Sequence, residues 1–495
     1  MGTPFEDSSS PAALPAITQR RLIGTRQLSP VELLEACIAR IEAFEPAVNA
    51  LCATDFQRAR EAARAAEAAL MRNEPLGPLH GLPVGIKDLE DTAGLRTTYG
   101  NIAFRNHVPA ADALIVERLK AAGAIVLAKT NTPDGGAGAN TRNAVWGATG
   151  NPFDPRLNAG GSSGGSAVAL ALDYLPLATG SDLGGSLRIP AALCGVVGFR
   201  PSPGLVPNET RAVAFSPLSI TGPMARSVGD LELMLQAISG ADARDPWSHG
   251  PRFEPQPMPD LSRLSIGYTE DFGGCAVDED IRRSFRDRID ALANRVGRLE
   301  PVDFPYGDAD RAFDVLRAES YLANHLDAWR ERPQTLSPNV RANMALAAQF
   351  TLADGAAAGA EQARLARALA ALLQRHHLIL APVTPVSPFP WSTWYAEQVQ
   401  GRPMRNYYHW LALTYVITLT AHPALALPCG RDQSGLPFGL QLIGRLHGDA
   451  PLLAAARALE ALFADDPTLA RPRPDVAALR TPQPALKSIV TDPPT

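Results

Sequence analysis

Two clusters of glycine and serine, together with one lysine, hold the residue types that could do chemistry in this chain. The first cluster is Gly160-Gly161-Ser162-Ser163-Gly164-Gly165-Ser166 and the second is Gly180-Ser181-Asp182-Leu183-Gly184-Gly185-Ser186-Leu187-Arg188. Glycine beside serine lets the backbone approach a substrate and turn its N–H groups toward it. In the second cluster the N–H groups of Leu183, Gly184, Gly185 and Ser186 can gather around a developing oxyanion, with Ser186 beside them as nucleophile. The plainer reading of any one such cluster is a flexible loop, but here apolar runs flank both. Lysine occurs only at Lys87, Lys120, Lys129 and Lys487, in a chain rich in arginine. Lys87 ends an apolar run, where desolvation lowers an ammonium pKa and makes a base of the side chain; arginine cannot be used that way. The same position suits a lysine that snorkels from a strand end to Asp88 or Glu90, and the residues alone leave both readings open.

Rival chemistries are weaker. Gly160-Gly161-Ser162-Ser163-Gly164 satisfies G-x-S-x-G, the nucleophile elbow of an α/β-hydrolase esterase, which would make Ser162 the nucleophile with a histidine such as His422. That motif needs a strand immediately before the serine, and Asn151-Pro152-Phe153-Asp154-Pro155-Arg156 reads as turns. No GxxxxGK[ST] phosphate loop occurs. Lys129-Thr130-Asn131 and Ser181-Asp182-Leu183 echo later β-lactamase motifs, without the SxxK that would supply the nucleophile. Cys37, Cys52, Cys194, Cys275 and Cys429 are scattered, odd in number and without CxxC pairing, and no HExxH occurs. No metal, cofactor or disulfide framework is expected, and the cysteine usage fits a reducing cytoplasm. His376-His377 reads as a helix end.

The elements that must position these residues alternate along the chain. Ser29-Pro30-Val31-Glu32 is a capping box opening a helix, with Leu33, Leu34, Cys37 and Ile41 at helical spacing. A second helix spans about residues 56–71. Strands are expected at 82–86, 124–128, 175–178, 194–199, 263–268, 378–382, 424–428 and 438–443. Helices are expected at 112–122, 167–172, 278–296, through most of 308–376, at 407–420 and at 451–463. This alternation predicts an α/β fold around a central sheet. Residues 1–75 read as a helical cover of the same domain, 76–470 as the catalytic domain with its motif block at 81–204, and 471–495 as a loose Pro-rich tail. A net charge of -5 without like-charge blocks argues against nucleic-acid binding. No segment reads as a secretory leader or a membrane span. A monomer or homodimer acting on a small molecule is the expected state.

Residues 81–88, 160–166 and 180–198, in that order, resemble the amidase signature family, with weaker likeness through 423–428 and 435–444. The resemblance implies a large mixed sheet with helices on both faces, and hydrolysis of carbon–nitrogen bonds other than peptide bonds. It implies a triad in which Lys87 is the base, Ser162, held in a cis peptide, relays protons, and Ser186 forms the acyl-enzyme. Leu183 to Ser186 would supply the oxyanion hole, with Ser163, Asp182 and Arg188 in support. Amides, anilides, esters and carbamates (urethanes) all present a suitable carbonyl. The family also includes A-type subunits of glutamine-dependent tRNA amidotransferases, whose glutamine sites use charged groups. The matching stretch here, Tyr407-Tyr408-His409-Trp410-Leu411-Ala412-Leu413, has no carboxylate. Trp146, Tyr407 and Trp410 are therefore expected to line an apolar substrate pocket, with Trp391 and Trp394 at its rim.

Overall fold

Most apolar runs of the sequence become largely buried strands. The structure, a computed structural model, describes residues 10–488. Residues 1–9, where a secretory leader would begin, and 489–495, the last part of the expected tail, lie outside the described residues. In chain order the strands are β1 (Leu51–Thr54), β2 (Pro83–Lys87), β3 (Ile125–Thr130), β4 (Arg142–Asn143), β5 (Gly147–Ala148), β6 (Leu177–Asp182), β7 (Val197–Arg200) and β8 (Ile220–Ala225). They continue with β9 (Ser265–Tyr268), β10 (Arg298–Pro301), β11 (Leu378–Pro382), β12 (Gln398–Val399), β13 (Arg402–Pro403), β14 (Ala424–Arg431) and β15 (Pro437–Ile443). Eleven of them form one sheet, in the order β1-β3-β2-β6-β8-β7-β14-β15-β11-β9-β10. Its pairings are mixed: β2 runs parallel to β3 and β6, and β9 parallel to β10 and β11, whereas each successive pair along β6-β8-β7-β14-β15-β11 is antiparallel, as is β1 with β3. Successive side chains of a strand point to opposite faces, so the complete burial of β2, β7, β8, β11 and β15 means that both faces are covered.

The cover is helical. The first helices are α1 (Ala16–Gly24), α2 (Pro30–Val48), α3 (Phe56–Met71), α4 (Leu114–Ala121), α5 (Gly164–Ala171), α6 (Arg188–Cys194) and α7 (Val228–Ile238). Then come α8 (Glu279–Leu292), α9 (Ala309–Glu331), α10 (Pro338–Ala347), α11 (Leu352–Arg375), α12 (Ala412–Thr420) and α13 (Asp449–Ala464). The capping box forms as read: Ser29 Oγ accepts from the N–H groups of Val31 and Glu32, and the Glu32 carboxylate accepts from Ser29 N–H at 3.2 Å. α5 packs against β2, β3, β6 and β8. Gly165 permits this approach, because a methyl group there would stand 2.2 Å from Asn131 N and 2.4 Å from Ala50 O.

Three expectations change. Cys194 closes α6, and the strand read from it starts only at Val197. The helix expected over 407–420 begins as a short 3₁₀ turn, His409–Leu411, and is α-helical from Ala412. The Pro-rich end is not loose up to residue 488: Leu479 and Leu486 are buried, and Gln483 N–H donates to Pro46 O at 2.9 Å, which holds the segment against α2. His376 caps the end of α11, as read.

The capping box yields a test of the local reading. Ser29→Ala should lower unfolding free energy by about 1–2 kcal/mol in urea titrations and leave kcat unchanged. No loss of stability would mean that the α2 start is held by packing alone.

Candidate active site

β2 and β6 run side by side in parallel and deliver Lys87 and Ser181 from their ends to the same place, while Ser163 starts α5 beside them. Lys87 is completely buried, so the reading in which it snorkels to Asp88 or Glu90 falls. Its Nζ meets three hydroxyls: Ser162 Oγ at 2.7 Å, Ser163 Oγ at 2.9 Å and Ser181 Oγ at 2.9 Å. No carboxylate forms an ion pair with it among the described residues. The Asp88 carboxylate instead accepts from the backbone N–H of Thr98 at 3.2 Å, and from its hydroxyl. Burial pushes the Lys87 amine down to about 7, against the more distant pull of Glu90 and Asp182. A neutral amine donates twice and offers one lone pair, so three hydroxyls satisfy it fully. Ser181 was missed in the sequence. Its adjacency to Gly180 was the only local signal, and its contact with Lys87 depends on the pairing of β2 with β6.

The Gly161–Ser162 peptide is cis, as the family resemblance implied. The segment before Ser162 is a loop, and its hydroxyl partner is Lys87 rather than a histidine. His422 lies at the start of β14, with Nδ1 2.9 Å from Thr420 O, and burial lowers its pKa to about 4. The esterase reading needs a histidine beside Ser162, and His422 is not a partner of that hydroxyl.

The second cluster bends around one carboxylate. Buried Asp182 accepts from Gly185 N–H at 2.9 Å and Leu187 N–H at 3.2 Å, and pairs with Arg188 at 2.9 Å and Arg200 at 3.3 Å. Burial alone would raise the Asp182 pKa, but the two guanidiniums overcome it and hold it at about 2. Arg188 also donates to Gln441 Oε1 at 2.6 Å and Thr414 O at 2.9 Å, which fastens the loop to β15 and α12. This arrangement corrects one expectation. The Gly185 N–H is committed to Asp182 and cannot face an oxyanion. Leu183, Gly184 and Ser186 line the cavity, and their N–H groups have no protein acceptor among the described residues. Gly185 sits at φ +127, where a methyl group would come within 2.3 Å of Thr414 Oγ1, so glycine is required there.

The cavity in front of these groups has a volume of about 530 Å³ and is reached by Ser162, Ser181 and Ser186. Of the three aromatics expected on its wall, only Tyr407 lines it. Trp146 Nε1 donates to Thr98 Oγ1 at 2.8 Å and its ring carries the Arg96 guanidinium at 4.1 Å. Trp410 is buried edge-on to Phe389 at 5.6 Å. Both pack outside the cavity. Trp394 lines a smaller neighbouring cavity of about 140 Å³; Trp391 lines neither. Tyr99, Phe104 and Tyr321 are the aromatic walls that the sequence did not reveal. Among the described residues no group of three or more His, Cys, Asp and Glu could hold a metal, and no helix is long and apolar enough to cross a membrane.

Comparison with known proteins agrees with this fold. The family model described as Amidase matches residues 32–453. The A-type subunit of the glutamyl-tRNA(Gln) amidotransferase from Acaryochloris marina is 31% identical over 477 residues, covering 91% of this chain and 97% of the relative. The crystal structure of a bacterial aryl acylamidase of the amidase signature family superposes with a TM-score of 0.84 at 28% identity, covering 92% and 98% of the two chains. A structure described as a vestigial protein complex bearing on the origins of an s-triazine catabolic enzyme gives 0.82 at 30% identity, covering 92% and 99%.

Two outcomes follow from the site. With Lys87 as base, the expected outcome is a rate that falls as pH drops below about 7, where the amine takes up a proton. Lys87→Arg and Lys87→Met should each lose about 10²–10⁴-fold in kcat/KM. A flat profile between pH 5 and 9, or an active Lys87→Arg, would exclude Lys87 as base. Asp182→Asn should cost about 3–5 kcal/mol of stability, since it strands two buried guanidiniums, and should also abolish turnover. Stability near that of the parent protein in urea would show that the loop does not depend on this carboxylate.

Proposed function

The chain belongs to the amidase signature family, whose members act on carbon–nitrogen bonds other than peptide bonds, and from that premise we propose a stand-alone serine amidohydrolase that forms its acyl-enzyme on Ser186. The observation that supports this reading is a buried Lys87 without a carboxylate partner, whose partners are serine hydroxyls at the edge of a cavity that also exposes Ser186.

The chemistry runs as a relay. Lys87 takes the Ser162 hydroxyl proton while Ser162 takes the proton of Ser186, and Ser186 Oγ bonds to the substrate carbonyl carbon. The carbonyl electron pair moves onto oxygen, where the N–H groups of Leu183, Gly184 and Ser186 stabilise it. When the carbon–nitrogen bond breaks, Ser162 gives its proton to the leaving nitrogen and Lys87 returns one to Ser162. Water, activated by the same pair, then cleaves the acyl ester. Asp182 and Arg188 are positioning residues that hold the loop, and Ser163 and Ser181 hold the amine.

Tyr99, Phe104, Tyr321 and Tyr407 give the cavity aromatic walls, which suits aryl amides; carbamates and esters present the same carbonyl. A second reading, the A-type subunit of a glutamine-dependent amidotransferase, is favoured by the name of the Acaryochloris marina relative. Against it, the cavity-facing residues of the 407–413 stretch are Tyr407 and Leu411, neither of them charged. Glutaminase activity that appears only with added partner subunits would establish the second reading.

A serine-reactive phosphonate should modify Ser186 alone. Mass spectrometry should find the adduct on Ser186 in the parent protein, none in Ser186→Ala, and slower labelling in Ser162→Ala. An adduct on Ser162 would contradict the assignment.

A further inference from the structure

One buried arginine of the cavity wall, Arg317, has no counter-ion among the described residues. On α9, Phe313, Arg317, Tyr321 and Asn324 recur at spacings of three and four residues and so share one face. This face abuts the proposed oxyanion loop, since a methyl group on Gly184 would stand 3.1 Å from the Phe313 ring. One helical turn further on, Arg317 lines the cavity while only 6% of its surface is exposed. Its Nε donates to Asn343 Oδ1 at 3.1 Å, and its Nη2 donates to the hydroxyls of Tyr321 at 2.8 Å and Tyr407 at 2.6 Å. Its Nη1 has no acceptor among the described residues and is not sealed within the protein. The rings of Tyr321 and Tyr408 lie 4.7 Å from the guanidinium carbon.

Other buried arginines are treated differently. Arg188 and Arg200 share Asp182, Arg40 and Arg226 share Asp173, and Arg211 faces Asp245. No carboxylate lies within ion-pair distance of Arg317 among the described residues. A guanidinium withdrawn from water without an anion is costly unless something supplies one. The Tyr407 hydroxyl accepts from both Arg317 and Asn343, the latter at 2.6 Å, so its own proton remains a donor. Nη1 and that hydroxyl together offer donors and no acceptor, the complement of a carboxylate.

We propose that Arg317, with Tyr407, is a carboxylate subsite of this cavity, and that the amide cleaved at Ser186 carries a carboxylate on the part that lies along α9. The proposal rests on the amidohydrolase reading for the cleavage and on the cavity geometry for the subsite. It has a definite competitor, in which Arg317 only fills an aromatic cage.

The test compares anilides of glutaric and adipic acid with the chain-matched anilides of pentanoic and hexanoic acid. The protein should favour at least one acid-bearing anilide by about tenfold or more in kcat/KM, mainly through KM, as a charge-assisted pair requires. Arg317→Met should bring that ratio to one or below. Arg317→Lys, which keeps the charge without the planar fork, should retain part of it; should the Met variant fail to fold, the parent ratio and the Lys variant decide. Free glutarate should bind Ser186→Ala saturably in calorimetry and fail to bind the Ser186→Ala/Arg317→Lys double variant as tightly. A preference for the neutral anilides, or a ratio that survives in Arg317→Lys and Arg317→Met alike, overturns the subsite. If no anilide is cleaved and the phosphonate leaves Ser186 unmarked, yet glutarate binding still depends on Arg317, the subsite stands and the amidohydrolase reading falls.

Discussion

An amine buried without an anion governs the organisation of this molecule. The Lys87 side chain ends a strand that is covered on both faces, so a charge there would have neither water nor a carboxylate beside it. The neutral form escapes that penalty, and three hydroxyls from two chain segments complete its hydrogen bonds. Those hydroxyls come together only because β2 and β6 are parallel neighbours and because α5 starts where they end. The amine is thus poised to accept a proton from a serine, the first requirement for activating a second serine in front of it.

The loop that presents Ser186 uses the opposite strategy. Asp182 stays charged in full burial because Arg188 and Arg200 are buried with it and two backbone N–H groups point at it. The cost of burying these charges is offset only while all partners are present. The N–H groups of Gly185 and Leu187 are thereby turned to Asp182, while those of Leu183, Gly184 and Ser186, which line the cavity, have no protein acceptor among the described residues. An amine that burial shifts toward its neutral form and a carboxylate that two guanidiniums hold ionised therefore sit one strand end apart, each set by its own surroundings. Arg317 belongs to neither arrangement, which is why its missing counter-ion points to a ligand rather than to the fold.

Much of this was legible where the signal is local. The capping box at Ser29, the helix over 56–71, the strand ending at Lys87 and the two glycine-serine clusters each carry their own pattern within a few residues. What could not be read depends on distant segments. Ser181 became a partner of Lys87 through sheet pairing. The Gly185 N–H was lost to the oxyanion through a side chain three positions earlier, whose direction no pattern fixes. α6 escaped notice because Pro190 and the glycine-rich approach hide a short helix. Trp146 and Trp410 looked like pocket walls because they are aromatic and near the motifs, but burial, not proximity in sequence, decided where they packed. Arg317 carried no mark among the many arginines of the chain; its burial on the cavity wall without a carboxylate within ion-pair distance depends on contacts in space.

The charge state of Lys87 can be observed without any substrate. With lysine labelled at Cε and Nζ, nuclear magnetic resonance can follow its titration in the intact protein, and only four lysines need to be assigned, Lys87 being identified by its loss in Lys87→Met. The midpoint should lie at about 7, far below the usual lysine value, with the amine mostly neutral at pH 8 and above. A midpoint above 10 would mean that Lys87 is a buried cation, and the relay built on it would be wrong.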